Sequence, residues 1–264
     1  MNICLFKEEE IQNPLDLRDE RGEHILKILH KKEGDSFTAG IIGGKAGTAT
    51  ITKIEGDYKT GGKLWFDFKP ESDGKPLNKL KMIIGFPRPI QLKRLLRDIA
   101  GLGVCEVHLT GTELGEKSYM QSTLVERGNA YKMLLDGTVQ AGSTHVPTLF
   151  LHKTLAECVE AVKKAEGTEG EYGFSLTAVH SHLLVALDNK RPGCSLSSAM
   201  AVSETSSLKS VVAAIGSERG WTDRERDFLV ENGFVLCGMG ERILRTETAA
   251  TVAGSIILAQ LGII

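Results

Sequence analysis

Two glycine-rich segments in the last quarter of the chain combine residue types and spacing that suit ligand chemistry. The first, IGSERGW at residues 215–221, ends an apolar run, and the second, GMGERILRTETA at residues 238–249, follows the apolar run FVLC. Each run predicts a short buried strand that enters a tight turn. Because open α/β sheets bind ligands beyond the carboxyl ends of their strands, both turns are candidate binding loops.

The second segment carries adjacent polar side chains where a helix should begin. Arg245, Thr246 and Glu247 follow one another directly. A threonine and a glutamate are routine at a helix start, where they cap N–H groups and favour the helix dipole. Arg245 opposes that dipole and is better placed to meet an anion. The segment is therefore either a plain helix start or part of an anion-contacting site.

The helices that must position these turns are indicated by capping residues and hydrophobic patterning. Thr222 and Glu225 form a Thr-x-x-Glu capping box, which predicts a helix that starts near Asp223 and ends at Gly233. Residues 244–261 are mostly small or apolar and predict a terminal helix. The terminal helix suits either close packing in the monomer core or an interface between copies.

The rest of the chain divides into a β-rich first part and a strand–helix alternation. Residues 37–42, 47–54 and 63–68 predict strands, and residues 69–76 predict a linker that contains two prolines and a glycine. Beyond the linker, the predicted strands are residues 80–85, 104–109, 175–179, 183–187, 211–215 and 234–237, and the predicted helices are residues 90–100, 124–140 and 155–165. This alternation favours an α/β fold with a mainly parallel sheet.

The composition excludes several classes of protein. The chain has 264 residues, a net charge of −2, 41% hydrophobic residues and 25% charged residues, so an RNA site would have to be a local basic patch. No apolar run reaches the length of a membrane span, and the N-terminus lacks a signal-peptide pattern. The five cysteines include no Cys-x-x-Cys pair, and the histidines lack metal-ligand spacing. We expect a cytoplasmic protein with no membrane segment and no metal.

The two segments resemble the signatures of a known family. IGSERGW and the intact RILRTETA at residues 242–249 are similar to the IGPEGGW and LGPRILRTETA motifs of the RsmE family. That family consists of SPOUT-class methyltransferases that modify N3 of a uridine in small-subunit ribosomal RNA. HILKIL at residues 24–29 and EGD at residues 33–35 resemble, more weakly, the family's PUA-like domain. The resemblance therefore covers nearly the whole chain.

The resemblance implies a two-domain α/β protein. Residues 1–72 would form a PUA-like, RNA-binding β-barrel domain. Residues 73–264 would form a SPOUT methyltransferase domain, in which a parallel sheet contains a trefoil knot. It also implies a homodimer that is built partly from the terminal helix, with ribosomal RNA or the small ribosomal subunit as its partner.

The resemblance also implies a cofactor and the residues that hold it. S-adenosylmethionine would lie between the two glycine turns, with a third strand end at Leu187. The implied cofactor-binding residues are Leu187, Ile215, Gly216, Gly220, Cys237, Gly238, Met239, Gly240, Ile243, Leu244 and Thr246. Judged on spacing alone, these glycines would be ordinary turn residues after strands.

Three residues are implied as catalytic. Methylation of N3 requires that the uridine loses its imide proton, and Arg245 would stabilise the negative charge that spreads onto the carbonyl oxygens. Glu218 would orient the cofactor or take part in proton removal, although a loop carboxylate near a helix start is an equal reading. Glu247 completes the set.

Two basic clusters are candidate RNA contacts. The candidate residues are Lys27, Lys31, Lys32, Arg88, Lys93, Arg94 and Arg97. Phosphate contacts from such clusters would supply affinity that does not depend on base sequence. Taken without the resemblance, both clusters are solvated surface charge.

The chain departs from the family pattern at several positions. Ser217 replaces a proline, Arg219 replaces a glycine, and Asp98, Gly101 and Ser143 stand where charged residues of the family motifs are expected. Arg219 would be strained if its position required a positive φ. Two other functions therefore stay open: methylation of a different RNA base by the same fold, and RNA or ribosome binding without turnover.

Overall fold

The computed structural model describes residues 2–120, 128–165, 182–202 and 208–264. The chain forms two compact units, one of residues 1–77 with 135–146 and one of residues 78–134 with 147–264. The domain boundary expected at residue 72 stays a prediction. It does not include residues 135–146, which join the first unit from far along the chain.

The first unit contains a five-stranded sheet. Its strands are β1 (Cys4–Phe6), β2 (Leu15–Asp16), β3 (Ser36–Ile41), β4 (Ala46–Asp57) and β5 (Gly61–Ser72). Their order is β1-β3-β4-β5-β2, and only β1 and β3 pair in parallel. Phe6 of one edge strand and Leu15 of the other share one buried cluster with Phe37 and Ile51, so the sheet curls like a barrel. The predicted strands are confirmed, but β5 extends into the predicted linker.

Two short segments complete the first unit. A helical turn, α1 (Glu20–Glu23), continues as a single π-helical stretch (His24–Ile28). The Ser143 hydroxyl donates a hydrogen bond to the Lys75 carbonyl at 2.9 Å, and the Thr144 hydroxyl donates to the Gly44 carbonyl at 2.6 Å. These buried bonds attach residues 135–146 to this unit and give Ser143 a structural role.

The second unit is built on a parallel sheet that has seven strands in the described ranges. Its strands are β6 (Asn78–Gly85), β7 (Val104–Thr110), β8 (Thr148–His152), β9 (His182–Leu187), β10 (Cys194–Ser195), β11 (Ser210–Ile215) and β12 (Val235–Gly238). Their order is β10-β12-β9-β11-β6-β7-β8. The predicted α/β class is confirmed. Strands β8 and β10 were not predicted, because β8 is half-exposed at an edge of the sheet and β10 has only two residues. The strand predicted at residues 175–179 lies outside the described residues.

Seven helices follow or precede these strands in the described ranges. They are α2 (Pro89–Gly101), α3 (Lys117–Met120), α4 (Asn129–Ala141), α5 (Leu155–Ala165), α6 (Leu196–Val202), α7 (Asp223–Glu231) and α8 (Thr246–Gln260). Residues 124–127 of the helix predicted at residues 124–140 lie outside the described residues. The Thr222–Glu225 capping box is present with both of its hydrogen bonds. No helix in these ranges combines the length and apolar character needed to cross a membrane.

The helices cover the two faces of the parallel sheet. Helices α5 and α7 bury Cys158, Val159 and Leu229 on one face, where Trp221 joins the same cluster. Helices α2 and α8 pack together on the other face. A Cβ on Gly254 would lie 2.9 Å from Met82 Cε, so the small residues of α8 serve the monomer core. The homodimer and the trefoil knot remain predictions.

Candidate active site

Three neighbouring strands end together at the carboxyl edge of the parallel sheet. Leu187 of β9 is in register with Ile215 of β11 and with Cys237 of β12. The loops beyond these strands surround a cavity of about 270 Å³, here called the three-strand cavity. Its lining residues are Leu187, Asp188, Asn189, Lys190, Ile215, Gly216, Ser217, Glu218, Arg219, Gly220, Cys237, Met239, Ile243, Leu244, Thr246 and Ala249. This is the edge at which open α/β sheets bind ligands.

The turn after β11 depends on two glycines. The Gly220 N–H donates to the Ser217 carbonyl at 2.8 Å, and Gly220 has a φ of +73°. A Cβ on Gly216 would lie 2.9 Å from the Gly220 carbonyl carbon, closer than real Cβ atoms come. His30 and Lys75 are the only non-glycine residues with positive φ in the described ranges, so Arg219 is not strained. The condition for strain at Arg219, a positive φ, is not met, because Gly220 takes the left-handed conformation in this turn.

Two side-chain hydrogen bonds fix this turn to its neighbours. The buried Trp221 indole N–H donates to the Leu187 carbonyl at 3.0 Å and ties the turn to the end of β9. The Thr246 hydroxyl donates to the Gly216 carbonyl at 3.4 Å. The sequence suggested a threonine N-cap for α8, but the N-cap residue is Arg245, whose side chain makes no capping hydrogen bond. The Arg245 side chain remains exposed at the helix start.

A buried ion pair holds the loop after β9. Arg226 Nε donates to Asp188 Oδ1 at 3.0 Å, and only 1% of Arg226 is exposed. Burial opposes ionisation of Asp188, but the Arg226 guanidinium and the Arg191 N–H stabilise the carboxylate and hold its pKa below the usual value. The Asp188 N–H also donates to the Cys237 carbonyl at 2.9 Å. The loop therefore has a defined position between β9 and β12.

A second cavity of about 360 Å³ adjoins the first. Its lining residues are Arg88, Gln91, Glu218, Ile243, Leu244, Arg245, Thr246 and Glu247. Four of these, Glu218, Ile243, Leu244 and Thr246, also line the three-strand cavity. Ile243 is 82% exposed, which is unusual for a large apolar side chain and leaves it available to contact a ligand. The two cavities thus share a wall and differ in chemistry, since the second contains two arginines and two glutamates.

Glu218 is held by the start of α2. Arg88 Nε lies 3.2 Å from one Glu218 carboxylate oxygen, and the Arg88 N–H donates to the other oxygen at 3.5 Å. Glu247 makes no ion pair among the described residues. Of the two carboxylates in the second cavity, Glu247 is therefore the one not neutralised by a cation.

The structure brings most of the predicted site residues together. All predicted cofactor residues except Gly238 and Gly240 line the three-strand cavity, and all three predicted catalytic residues line the second cavity. Gly240 has a φ of +98° with open space beside it, so it shapes the loop. Asp98 and Gly101 line neither cavity. The roles of these residues remain predictions.

The predicted RNA contacts divide between the two units. Arg88, Lys93, Arg94 and Arg97 are exposed at the start and along the outer side of α2. Within the first unit, Lys27 pairs with Glu23 at 2.7 Å, whereas Lys31 is half-buried and Lys32 is exposed. Arg88 also lines the second cavity.

Several cavity residues were missed by the sequence reasoning. Asp188, Asn189 and Lys190 line the three-strand cavity, and Gln91 lines the second. The signal for Asp188 was available, since polar residues directly after a buried apolar run at a strand end are candidate ligand contacts. Gln91 gave no such signal, because it lies within an amphipathic helix.

Comparisons with known proteins agree with this geometry. A family model described as an RNA methyltransferase domain matches residues 74–258. The ribosomal RNA small subunit methyltransferase E of Treponema pallidum is 38% identical over 98% of this chain and 91% of its own length. The corresponding methyltransferase E 1 of Borreliella burgdorferi is 30% identical over 98% of both chains.

A solved structure shares the fold. The ribosomal RNA small subunit methyltransferase E of Neisseria gonorrhoeae, bound to S-adenosyl methionine, superposes with a TM-score of 0.72 at 22% identity, covering 98% of this chain and 97% of that chain. The matched family model and the near-complete coverage of relatives at 38% and 30% identity lead to one conclusion: this chain belongs to the RNA methyltransferase family that includes ribosomal RNA small subunit methyltransferase E.

Proposed function

We propose that this protein transfers the methyl group of S-adenosylmethionine to N3 of a uridine in small-subunit ribosomal RNA. The observation that carries the proposal is the shared wall of the two cavities, formed by Glu218, Ile243, Leu244 and Thr246. A methyl donor in the three-strand cavity and a base in the second cavity would meet at that wall. Direct transfer needs such adjacency, because the donor carbon and the accepting nitrogen must approach in line.

The three-strand cavity suits S-adenosylmethionine. Leu187, Ile215 and Cys237 give it an apolar floor, and Gly220, with open space beside its Cα, leaves turn backbone available for close contact. Backbone N–H and C=O groups can bind an adenine edge there without charged side chains. When bound, the cofactor supplies an electrophilic methyl group on a sulfonium. The structure of the Neisseria gonorrhoeae relative was solved with S-adenosyl methionine bound.

The second cavity suits a base that must lose a proton. Arg245 would donate to a carbonyl oxygen of the uracil and stabilise the charge that develops as N3 is deprotonated. Glu247 would accept the imide proton, because Glu218 is already held by Arg88. Glu218 would then serve to join α2 to the turn that borders both cavities.

The exposed face of α2 suits a polyanionic substrate. Lys93, Arg94 and Arg97 follow Arg88 along a helix whose first turn borders the second cavity. Phosphate contacts at this face would bring RNA to the cavity without reading its sequence.

The proposal is tested by methyl transfer from labelled S-adenosylmethionine to small ribosomal subunits that lack N3-methyluridine, with the labelled nucleotide mapped. We expect label at N3 of one uridine. Label on another base would show a methyltransferase with a different target. Cofactor binding without transfer to any RNA would favour the non-enzymatic alternative, an RNA- or ribosome-binding protein that has lost turnover.

A further inference from the structure

A cluster of metal-binding side chains lies on the sheet away from both active-site cavities. His108 on β7, His152 at the end of β8 and Cys158 on α5 each offer one donor atom, and these atoms all lie within 4.8 Å of one another. His108 Nδ1 and His152 Nε2 are 3.0 Å apart. We propose that His108, His152 and Cys158 bind one zinc ion.

The donor set selects the metal. Imidazole and thiolate ligands suit Zn²⁺, whereas Mg²⁺ and Ca²⁺ require oxygen ligands. Tetrahedral Zn²⁺ with its usual Zn–N and Zn–S bond lengths places its donors roughly 3.3–3.6 Å apart, so the cluster needs only side-chain adjustments. Three protein ligands leave the fourth position for water. Binding releases one proton, from the Cys158 thiol, and moves the ring proton of His152 from Nε2 to Nδ1 so that Nε2 can ligate; nothing is oxidised or reduced.

Neighbouring side chains orient the first ligand. Glu106 Oε2 lies 3.1 Å from His108 Nε2 and accepts a hydrogen bond from its N–H, which leaves the Nδ1 lone pair of His108 directed at the cluster. Lys81 pairs with Glu106 at 3.0 Å, and the Phe150 ring stacks on the His108 ring at 4.6 Å. Histidine ligands of metals are ordinarily fixed by a carboxylate in this way.

The cluster has a route of entry and a structural consequence. His108 and Cys158 are buried, but His152 is only half-buried, and Lys153, Thr154 and Leu155 between the two later ligands line a cavity of about 470 Å³. A bound ion would join β7, β8 and α5 at the edge of the sheet. The three ligands line neither active-site cavity, so the ion would act on stability rather than on cofactor binding.

The alternative is a neutral hydrogen bond between two histidines beside a core cysteine. Absorption spectroscopy of the metal-free protein with Co²⁺, followed by competition with Zn²⁺, separates the two. The zinc site predicts one Co²⁺ per chain, tetrahedral visible bands, a thiolate-to-cobalt band in the near ultraviolet, and displacement by Zn²⁺ with a dissociation constant below about 1 µM. Absence of the thiolate band in the wild-type protein would overturn the proposal without any variant.

Two thiol variants identify the ligand. Cys158→Ala should abolish the thiolate band and the rise in melting temperature on adding Zn²⁺, whereas Cys105→Ala, whose partly buried thiol donates to the Leu80 carbonyl, should keep both. Glu106→Gln should weaken Zn²⁺ binding by roughly 10- to 100-fold while keeping the band. A band that persists in Cys158→Ala would also overturn the assignment.

Discussion

The two halves of the parallel sheet build chemistry in different ways. Around β9, β11 and β12, the candidate site consists largely of turn backbone from contiguous segments that end in register. Around β6, β7 and β8, Lys81, Glu106, His108 and His152 form a chain of side chains across three strands. A site made of contiguous turns leaves a motif in the sequence, whereas a site made across strands does not.

The largest expected effect concerns the side-chain pair that supports the backbone site. Arg226→Ala leaves the Asp188 carboxylate buried without its guanidinium, and loss of one partner of a buried pair costs about 3–5 kcal/mol in the free energy of unfolding. Arg224→Ala is the matched control, because its pair with Glu113 is largely exposed and should contribute at most about 1 kcal/mol. Denaturant unfolding measures both, and equal losses would contradict the account.

The same pair predicts a dependence on pH. The folded-state pKa of Asp188 lies below its usual value, so its contribution to stability is complete above about pH 4 and is lost as the pH falls through the folded-state pKa. The difference in the free energy of unfolding between wild type and Asp188→Asn should therefore be constant from about pH 5 to 7, where it reflects the loss of the Asp188–Arg226 ion pair. It should shrink as the pH falls below that range. A difference that grows on acidification would have the wrong sign.

Arg245→Ala tests the side chain that the backbone site presents to its substrate. If Arg245 stabilises charge on the base, kcat should fall by about 100- to 1,000-fold while the affinity for S-adenosylmethionine stays unchanged. Arg242→Ala, at an exposed position that lines neither cavity, is the control. Equal rates for the Arg245→Ala variant and the wild type would remove Arg245 from the chemistry.

Gly216→Ala tests whether backbone shape carries cofactor binding. The added Cβ would meet the Gly220 backbone, and such overpacking costs roughly 1–3 kcal/mol. If the turn must shift, the affinity for S-adenosylmethionine should fall by about 10- to 100-fold. Gly101→Ala places a methyl group in open space near the end of α2 and should bind the cofactor normally. Calorimetric titration of both variants decides, and unaltered binding by Gly216→Ala would break the comparison between the two halves.

The smallest expected effect concerns the basic face of α2. Lys93→Ala and Arg94→Ala should each weaken RNA binding only a few-fold and should lower the slope of log affinity against log salt by about 0.7–0.9 per phosphate contact. Lys27→Ala gives a matched loss of one positive charge in the first unit, at a residue already paired with Glu23. An unchanged salt slope in both α2 variants would assign this face to solvent.

The sequence predicted what depends on local patterns. The strands β9, β11 and β12, the capping box at Thr222 and the glycine turn at Gly216 follow from apolar runs and the glycine and capping residues that end them. The fold class followed from the alternation of strands and helices.

What the sequence did not predict depends on register between distant segments. The Asp188–Arg226 pair joins residues 38 positions apart, and the His108–His152 contact joins residues 44 apart, so no spacing rule along the chain signals either. The expectation of no metal site rested on such spacing. Gln91 entered the second cavity only because the start of α2 lies beside the turn that holds Glu218.

The most direct test of the central claim is a crystal structure with S-adenosylhomocysteine and uridine monophosphate. We expect the thioether sulfur to lie at the wall formed by Glu218, Leu244 and Thr246, with the uracil on the Arg245 side of it. Binding of S-adenosylhomocysteine elsewhere, for example in the cavity lined by Lys153 and Thr154, would contradict this arrangement.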